Sequence, residues 1–361
     1  MDSTLEQART LFLEGVAHYE AGRLELAERQ FTAALALAPA RPSVLTNLGA
    51  VKLKLGRAAE ALPLLQQALA QEPDNAEALG HCGTALAELG RPQEALPLFD
   101  QALAREPRAA AVWMFRGSVL RELGRSADAA ASYREALARG GDAELLAYYL
   151  AGLEGGAPPA QPPRHYVQAL FDGYAEGFDT HLVRTLRYDA PRVLVERIEH
   201  RRFSNALDLG CGTGLCGPLL RPLAARLTGV DLSQQMLEKA RALGAYDALV
   251  QGDVVDFLAS STERFDAVVA ADVFVYVGVL DETFRLLAQR LAPGAAFCFT
   301  VEESKGADVV LRPSLRYAHS EPSLRRLARE HGFGIDTIER RPVREEQRQP
   351  IPGLFVWMEK G

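Results

Sequence analysis

Asn205-Ala206-Leu207-Asp208-Leu209-Gly210-Cys211-Gly212-Thr213-Gly214 decides how the second half of this chain folds. Its apolar opening reads as a strand, and the glycines that follow cannot extend one but can bring backbone close to a ligand and turn it into a helix. Working outward, short β-rich runs alternate with helical ones. Strands are expected across 226–231, 247–253, 265–272 and 295–301, with helices from Leu215, across 233–243 and across 281–291. That alternation predicts a doubly wound parallel sheet with helices on both faces. A helix at 322–331 and strands at 334–339 and 353–359 then close the sheet as a hairpin, which makes seven strands. The mixed-sign run Arg340-Arg341-Pro342-Val343-Arg344-Glu345-Glu346 is expected as a solvated loop between the last two.

In such a sheet ligands bind beyond the carboxyl ends of the strands, which is where the glycine turn falls. Asp231 closes the second strand, where a carboxylate can accept hydrogen bonds from ribose hydroxyls; the plainer alternative is a helix N-cap. Gly212-Thr213-Gly214-Leu215-Cys216-Gly217 also fits a dinucleotide fingerprint, and spacing alone does not separate the two. Asp208 beside the turn would repel a pyrophosphate but suit an amine. No Tyr-x-x-x-Lys occurs, so the short-chain dehydrogenase pattern is missing.

The set resembles the class I S-adenosylmethionine-dependent methyltransferases, with their Rossmann-like sheet, over residues 165–361. That resemblance implies that Gly210, Gly212 and Gly214, with Cys211 between them, lie against S-adenosylmethionine. Asp208 then faces its methionine portion, Asp231 holds the ribose, and Asp253 with the Val254 backbone reads the adenine between Leu232 and Met236. Asp253 has a second reading, as a surface turn residue.

Ahead of this lies a repeat. Gly15, Gly49, Gly83 and Gly117 are 34 residues apart, and so are Ala27, Ala61, Ala95 and Ala129, and Phe31, Leu65, Phe99 and Tyr133. Small residues let two helices cross closely and the large one fills the space beside them, so each unit predicts a helix pair that buries its apolar face only by stacking. The pattern resembles the tetratricopeptide repeat, in four copies plus a capping helix across residues 1–153. An all-α superhelix is expected there, with a groove suited to a protein or peptide. Groove positions by the family pattern include Phe12, Tyr19, Thr46, Lys54, Glu88 and Arg121. A Pro- and Gly-rich linker is expected at 154–164. The domain order, the run from Phe171 to Leu182 and Arg316-Tyr317-Ala318-His319-Ser320 resemble a bacterial family of methyltransferases carrying these repeats.

Residues 165–203 precede the first strand and are expected as lid helices. Tyr166, Phe171, Tyr174 and Phe178 recur at helical spacing. By the resemblance Tyr174, Phe178 and His181 come near the transferable methyl; an aromatic stripe packed on the sheet edge is the alternative. Methyl transfer is an in-line displacement dominated by positioning, with a base needed only for acceptors that lose a proton. His181 and His319 are the candidate bases, since histidine titrates near neutrality; a hydrogen-bonded structural residue is the plainer reading of each. Asp272 and Tyr276 follow the fourth strand within reach of substrate. Asp272-Val273-Phe274-Val275 departs from the Asn/Asp-Pro-Pro-aromatic motif, which argues against methylation of adenine or glutamine.

Composition bounds the rest. The 361 residues carry a net charge of −7, spread over both halves: 15 Lys+Arg against 19 Asp+Glu in 1–153, and 25 against 28 beyond. Neither half is cationic, which makes nucleic acid an unexpected partner. The four cysteines lack paired metal spacing, so no metal is expected. With no apolar run near 20 residues and an acidic N-terminus, the expectation is a cytoplasmic enzyme. Two rivals stay open: a small-molecule O- or N-methyltransferase whose repeats form a homodimer, and a cofactor-binding scaffold without catalysis.

Overall fold

The computed structural model describes residues 2–174, 188–346 and 349–361. It divides into two compact units, Met1–Leu153 and Glu154–Gly361.

The first unit is helical throughout. Helices α1 (Asp2–Glu20) and α2 (Leu24–Leu37), α3 (Pro42–Lys54) and α4 (Ala58–Gln71), α5 (Ala76–Glu88) and α6 (Pro92–Arg105), and α7 (Ala110–Glu122) and α8 (Ser126–Ala138) form successive pairs, followed by α9 (Ala143–Glu154). Phe31, Leu65, Phe99 and Tyr133 are fully buried, each against the glycine of its partner helix. A Cβ at Gly117 would lie 2.6 Å from the Tyr133 ring, which is why the position admits no side chain. Between the pairs, Lys52 bonds both Glu28 and Glu60. Thr46, expected on the groove, is instead buried in α3. The first turn of α3 faces the neighbouring pair, as its buried Val44 and Leu45 show.

The second unit opens with α10 (Arg164–Tyr174) and α11 (Ala190–Glu196). Then come β1 (Phe203–Leu209), α12 (Gly217–Leu220), β2 (Ala224–Asp231), α13 (Gln234–Ala242), β3 (Ala248–Gln251), α14 (Val254–Ser260) and β4 (Phe265–Ala270). A short 3-10 turn at Phe274–Tyr276 leads to α15 (Asp281–Arg290) and β5 (Leu291–Glu303). The chain closes with β6 (Val309–Leu311), β7 (Tyr317–His319), α16 (Glu321–His331), β8 (Phe333–Glu346) and β9 (Gln349–Lys360). The parallel core runs β3-β2-β1-β4-β5, and β9 pairs antiparallel with both β5 and β8. Leu207 and Leu209 feed the core on one face of β1, and Ala206 the core on the other, as strand alternation requires.

Among the described residues the sheet has nine strands rather than seven. β5 outruns β4, and the edge β4 vacates is taken at Glu302 and Glu303 by β7, with β6 beyond it. Residues 340–346 are not a loop either, because β8 continues through them in register with 349–354. A bulge between Pro342 and Arg344 turns two consecutive side chains, Val343 and Arg344, into the interior. The Pro-rich segment is pinned at its far end: Val279 N–H donates to the Ala160 carbonyl at 2.9 Å and Tyr317 Oη donates to the Pro159 carbonyl at 2.9 Å.

Candidate active site

A cavity of about 870 Å³ opens beyond the carboxyl ends of the parallel strands. Its floor is the glycine turn. Gly210 has φ +72, and a Cβ there would meet the Val273 side chain at 2.5 Å, so a larger residue would push the β1 and β4 turns apart. Gly210, Cys211 and Gly212 line the cavity. Gly214 does not, because the space beside it is filled by Leu243 and Tyr246.

The β1–β2 side is acidic. Asp208 is 1% exposed and accepts a 2.6 Å hydrogen bond from Tyr246 Oη. Burial pushes its carboxyl up to about 7 despite the Tyr246 bond, and the nearby Asp231 charge adds to the rise. Asp231 accepts from Gly212 N–H at 2.8 Å and Ser233 N–H at 2.9 Å, so the carboxylate ties the glycine turn to the end of β2. Its carboxyl is also raised, by burial opposed by those backbone bonds. The N-cap of α13 is not Asp231 but Ser233, whose hydroxyl accepts from Met236 N–H. Among the described residues, neither Asp208 nor Asp231 is in an ion pair.

Leu232, Asp253 and Val254 line the cavity at the β2–β3 end. Asp253 Oδ1 caps α14 by accepting from Val255 and Asp256 N–H groups. Met236, expected as an adenine wall, is fully buried beneath α13 and does not reach the cavity. Helix α10 contributes Val167, Leu170 and Phe171, and its Asp172 accepts from Ser233 Oγ. Tyr174 is the last residue of α10. Phe178 and His181 lie outside the described residues.

The β4–β5 side carries a charge network that sequence reading missed. Asp272 sits at φ 60 just past β4 and is gripped through both oxygens by Arg344 Nη1, at 2.8 and 2.9 Å. Arg344, with its side chain 1% exposed, also bonds Glu302 and Glu346. Arg316 donates from Nε to Tyr276 Oη at 3.0 Å and from Nη1 to Glu346. Asp272, Tyr276, Arg316, Arg344 and Glu346 all line the cavity.

His319 is not among them. It is buried, its Nε2 lies 2.6 Å from the Gly278 carbonyl, and desolvation lowers its pKa to about 4. It therefore stays neutral and orients the loop after Tyr276. The four cysteines are free and buried, and burial raises the thiols of Cys211 and Cys216 well above their usual range, which disfavours the thiolate form at both. No cluster of metal-binding side chains occurs among the described residues, and no described helix is long and apolar enough to cross a membrane.

The family model described as a methyltransferase domain matches residues 207–299, and tetratricopeptide repeat models match 12–76, 52–119 and 110–139. The chain carries tetratricopeptide repeats ahead of a methyltransferase domain. Malonyl-[acyl-carrier protein] O-methyltransferase of Enterobacter lignolyticus (strain SCF1) is 31% identical over 143 residues, 40% of this chain and 55% of that protein. Nodulation protein S of Bradyrhizobium diazoefficiens is 34% identical over 102 residues, 27% of this chain and 48% of that protein. The chain thus spans about half the length of the curated relatives it matches. Among solved structures, an S-adenosylmethionine-dependent methyltransferase from Clostridium acetobutylicum ATCC 824 superposes on 53% of this chain and 99% of its own. Its identity is 18% and its TM-score 0.41.

Proposed function

We propose that the methyltransferase domain moves a methyl group from S-adenosylmethionine, by in-line displacement, to an oxygen or nitrogen of a protein or peptide that the repeats recruit. One observation carries the cofactor assignment: two carboxylates, the buried Asp208 and the half-buried Asp231, face one cavity, and neither is ion-paired within the described residues. Buried charge left unpaired is costly, so the site calls for a cationic, hydroxyl-bearing ligand. In this reading Asp231 accepts from the ribose hydroxyls, Asp208 attracts the cationic amino-acid end, and Leu232 and Val254 cover the adenine. The bound sulfonium supplies an activated methyl group. The protein aligns the acceptor and excludes water, and the apolar residues of α10 over the cavity serve the second task.

The shift at Asp208 gives a pH dependence with a definite sign. Its carboxyl is raised in the fold, so the stability it contributes is full below about pH 4, the unfolded value, and is lost as pH rises through about 7. The charge that forms over the same range attracts the cation. Affinity for S-adenosylmethionine is therefore expected to tighten about tenfold from pH 6 to pH 8 and to lose this dependence in Asp208→Asn. Calorimetry across that range checks it, and a flat wild-type profile would remove Asp208 from cation binding.

Recruitment of a macromolecule is supported by the repeats and by one relative, whose name gives it a substrate borne on a carrier protein. Incubation of the full chain with methyl-labelled S-adenosylmethionine and host lysate tests it. Label is expected in the protein fraction; label confined to lipids or small metabolites would favour the small-molecule alternative.

A further inference from the structure

The β4–β5 side of the cavity is built almost wholly from groups that are already paired. Arg344 commits Nε to Glu346, Nη1 to both oxygens of Asp272 and Nη2 to Glu302. Arg312 takes the other oxygen of Glu302 at 3.0 Å. Glu346 also accepts from Arg316. These three arginines and three carboxylates balance, and each carboxylate is held by at least one guanidinium. None can accept a proton without giving up an ion pair in a low-dielectric setting, so none serves as a base.

What remains on this side donates. Tyr276 Oη accepts from Arg316 Nε, which leaves the phenol's own proton to be given elsewhere. Arg316, about a quarter exposed, has Nη2 without a partner among the described residues and lines the cavity with Ser314. A guanidinium N–H beside a phenol O–H suits a group that only accepts hydrogen bonds and carries negative charge. Beside it stand the apolar walls Val167, Leu170, Phe171 and Val277.

We infer that the group methylated is a carboxylate on an apolar stem, one oxygen held by Arg316 Nη2 and Tyr276 Oη–H while the other takes the methyl. This deepens the methyl-transfer reading and rests on it. A lone pair of the carboxylate oxygen forms the new O–C bond as the C–S bond breaks with its electrons going to sulfur. The products are a methyl ester and neutral S-adenosylhomocysteine. No proton changes hands, which matches a side of the cavity that offers no base. An alcohol or ammonium acceptor would have a proton to lose and nowhere on this side to put it.

The test separates this inference from the reading beneath it. Full-length protein is first titrated with S-adenosylhomocysteine; failure to bind there would sink the cofactor assignment. The loaded protein is then titrated with hexanoate and with hexanamide, which differ in charge but hardly in shape. Hexanoate is expected to bind at least about tenfold more tightly, as a charge-assisted pair requires. Arg316→Ala should erase the difference and Arg316→Lys restore part of it. Tyr276→Phe, which removes one hydroxyl and little packing, should weaken hexanoate several-fold, with S-adenosylhomocysteine affinity unchanged in all three variants. Equal or undetectable binding of the two probes overturns the inference. So does label from the lysate reaction that survives mild alkali, which releases methanol from a methyl ester but leaves N-methyl groups and ethers intact.

Discussion

Arg344→Ala is expected to lower the unfolding free energy of the methyltransferase unit by about 3–5 kcal/mol, the loss typical when one partner of a buried ion pair is removed. The size follows from what is left behind. Glu302 is 2% exposed in its side chain and Asp272 16%, and both would keep negative charges with little water to replace the guanidinium. Arg312 holds only one oxygen of Glu302 and does not touch Asp272. Asp272 also sits in the left-handed region, a conformation that costs energy and persists where neighbours enforce it. The chain has two tryptophans, Trp113 and Trp357, one per unit. Denaturation followed by Trp357 fluorescence in a Trp113→Phe background therefore reads the affected unit alone. Pairing Arg344→Met with Glu302→Gln and Asp272→Asn should recover part of the loss, because the charges then leave together. A single-variant loss under about 1 kcal/mol would mean that the carboxylates take up protons or water freely, and the network would not then be the brace of the β4 turn.

Local rules made the architecture readable and long-range ones hid the rest. The repeat period, the glycine turn and the strand-end acids are each set within a few residues, by close approach or by backbone geometry, so they leave a mark in the sequence. Arg344 leaves none. It lies in a run whose mixed charges and proline read as solvent-facing, and a bulge then breaks the two-residue alternation and turns Val343 and Arg344 inward together. Its partners Asp272 and Glu302 are 72 and 42 residues away in the chain. Gly214 and Met236 failed for a different reason. Spacing placed them at the right turn and helix, but the direction a side chain faces depends on neighbours, here Tyr246 and Leu243 beside Gly214. Arg316 stands in Arg316-Tyr317-Ala318-His319-Ser320, where histidine carries the stronger proton-transfer signal in sequence, but the fold buries that histidine and keeps it neutral while Arg316 lines the cavity.

Asp231→Ala is expected to weaken S-adenosylhomocysteine binding by about 1–3 kcal/mol, roughly ten- to a hundredfold, because the ligand's hydroxyls lose a charged acceptor in a buried site. The carboxylate has two duties. Its oxygens accept the backbone N–H groups of Gly212 and Ser233, and each keeps further acceptor capacity on the cavity side. Losing it frees two backbone donors and releases the glycine turn, which would lower affinity even without a ribose contact. Two substitutions divide these effects differently. Asp231→Asn removes the charge and keeps an oxygen for one N–H while setting its amide NH2 against the other, so its deficit combines the lost charge with one lost turn bond, and the extra deficit of Ala reports on the second. Collapse of α13 does not confuse the comparison, since that helix is capped by Ser233 and its Leu237 and Ala240 stay in the core. Calorimetry on the full chain gives both numbers. If Asn binds as tightly as wild type while Ala does not, Asp231 is a loop fastener and the ribose lies elsewhere. If both bind as wild type, the acidic side of the cavity does not read a nucleoside at all.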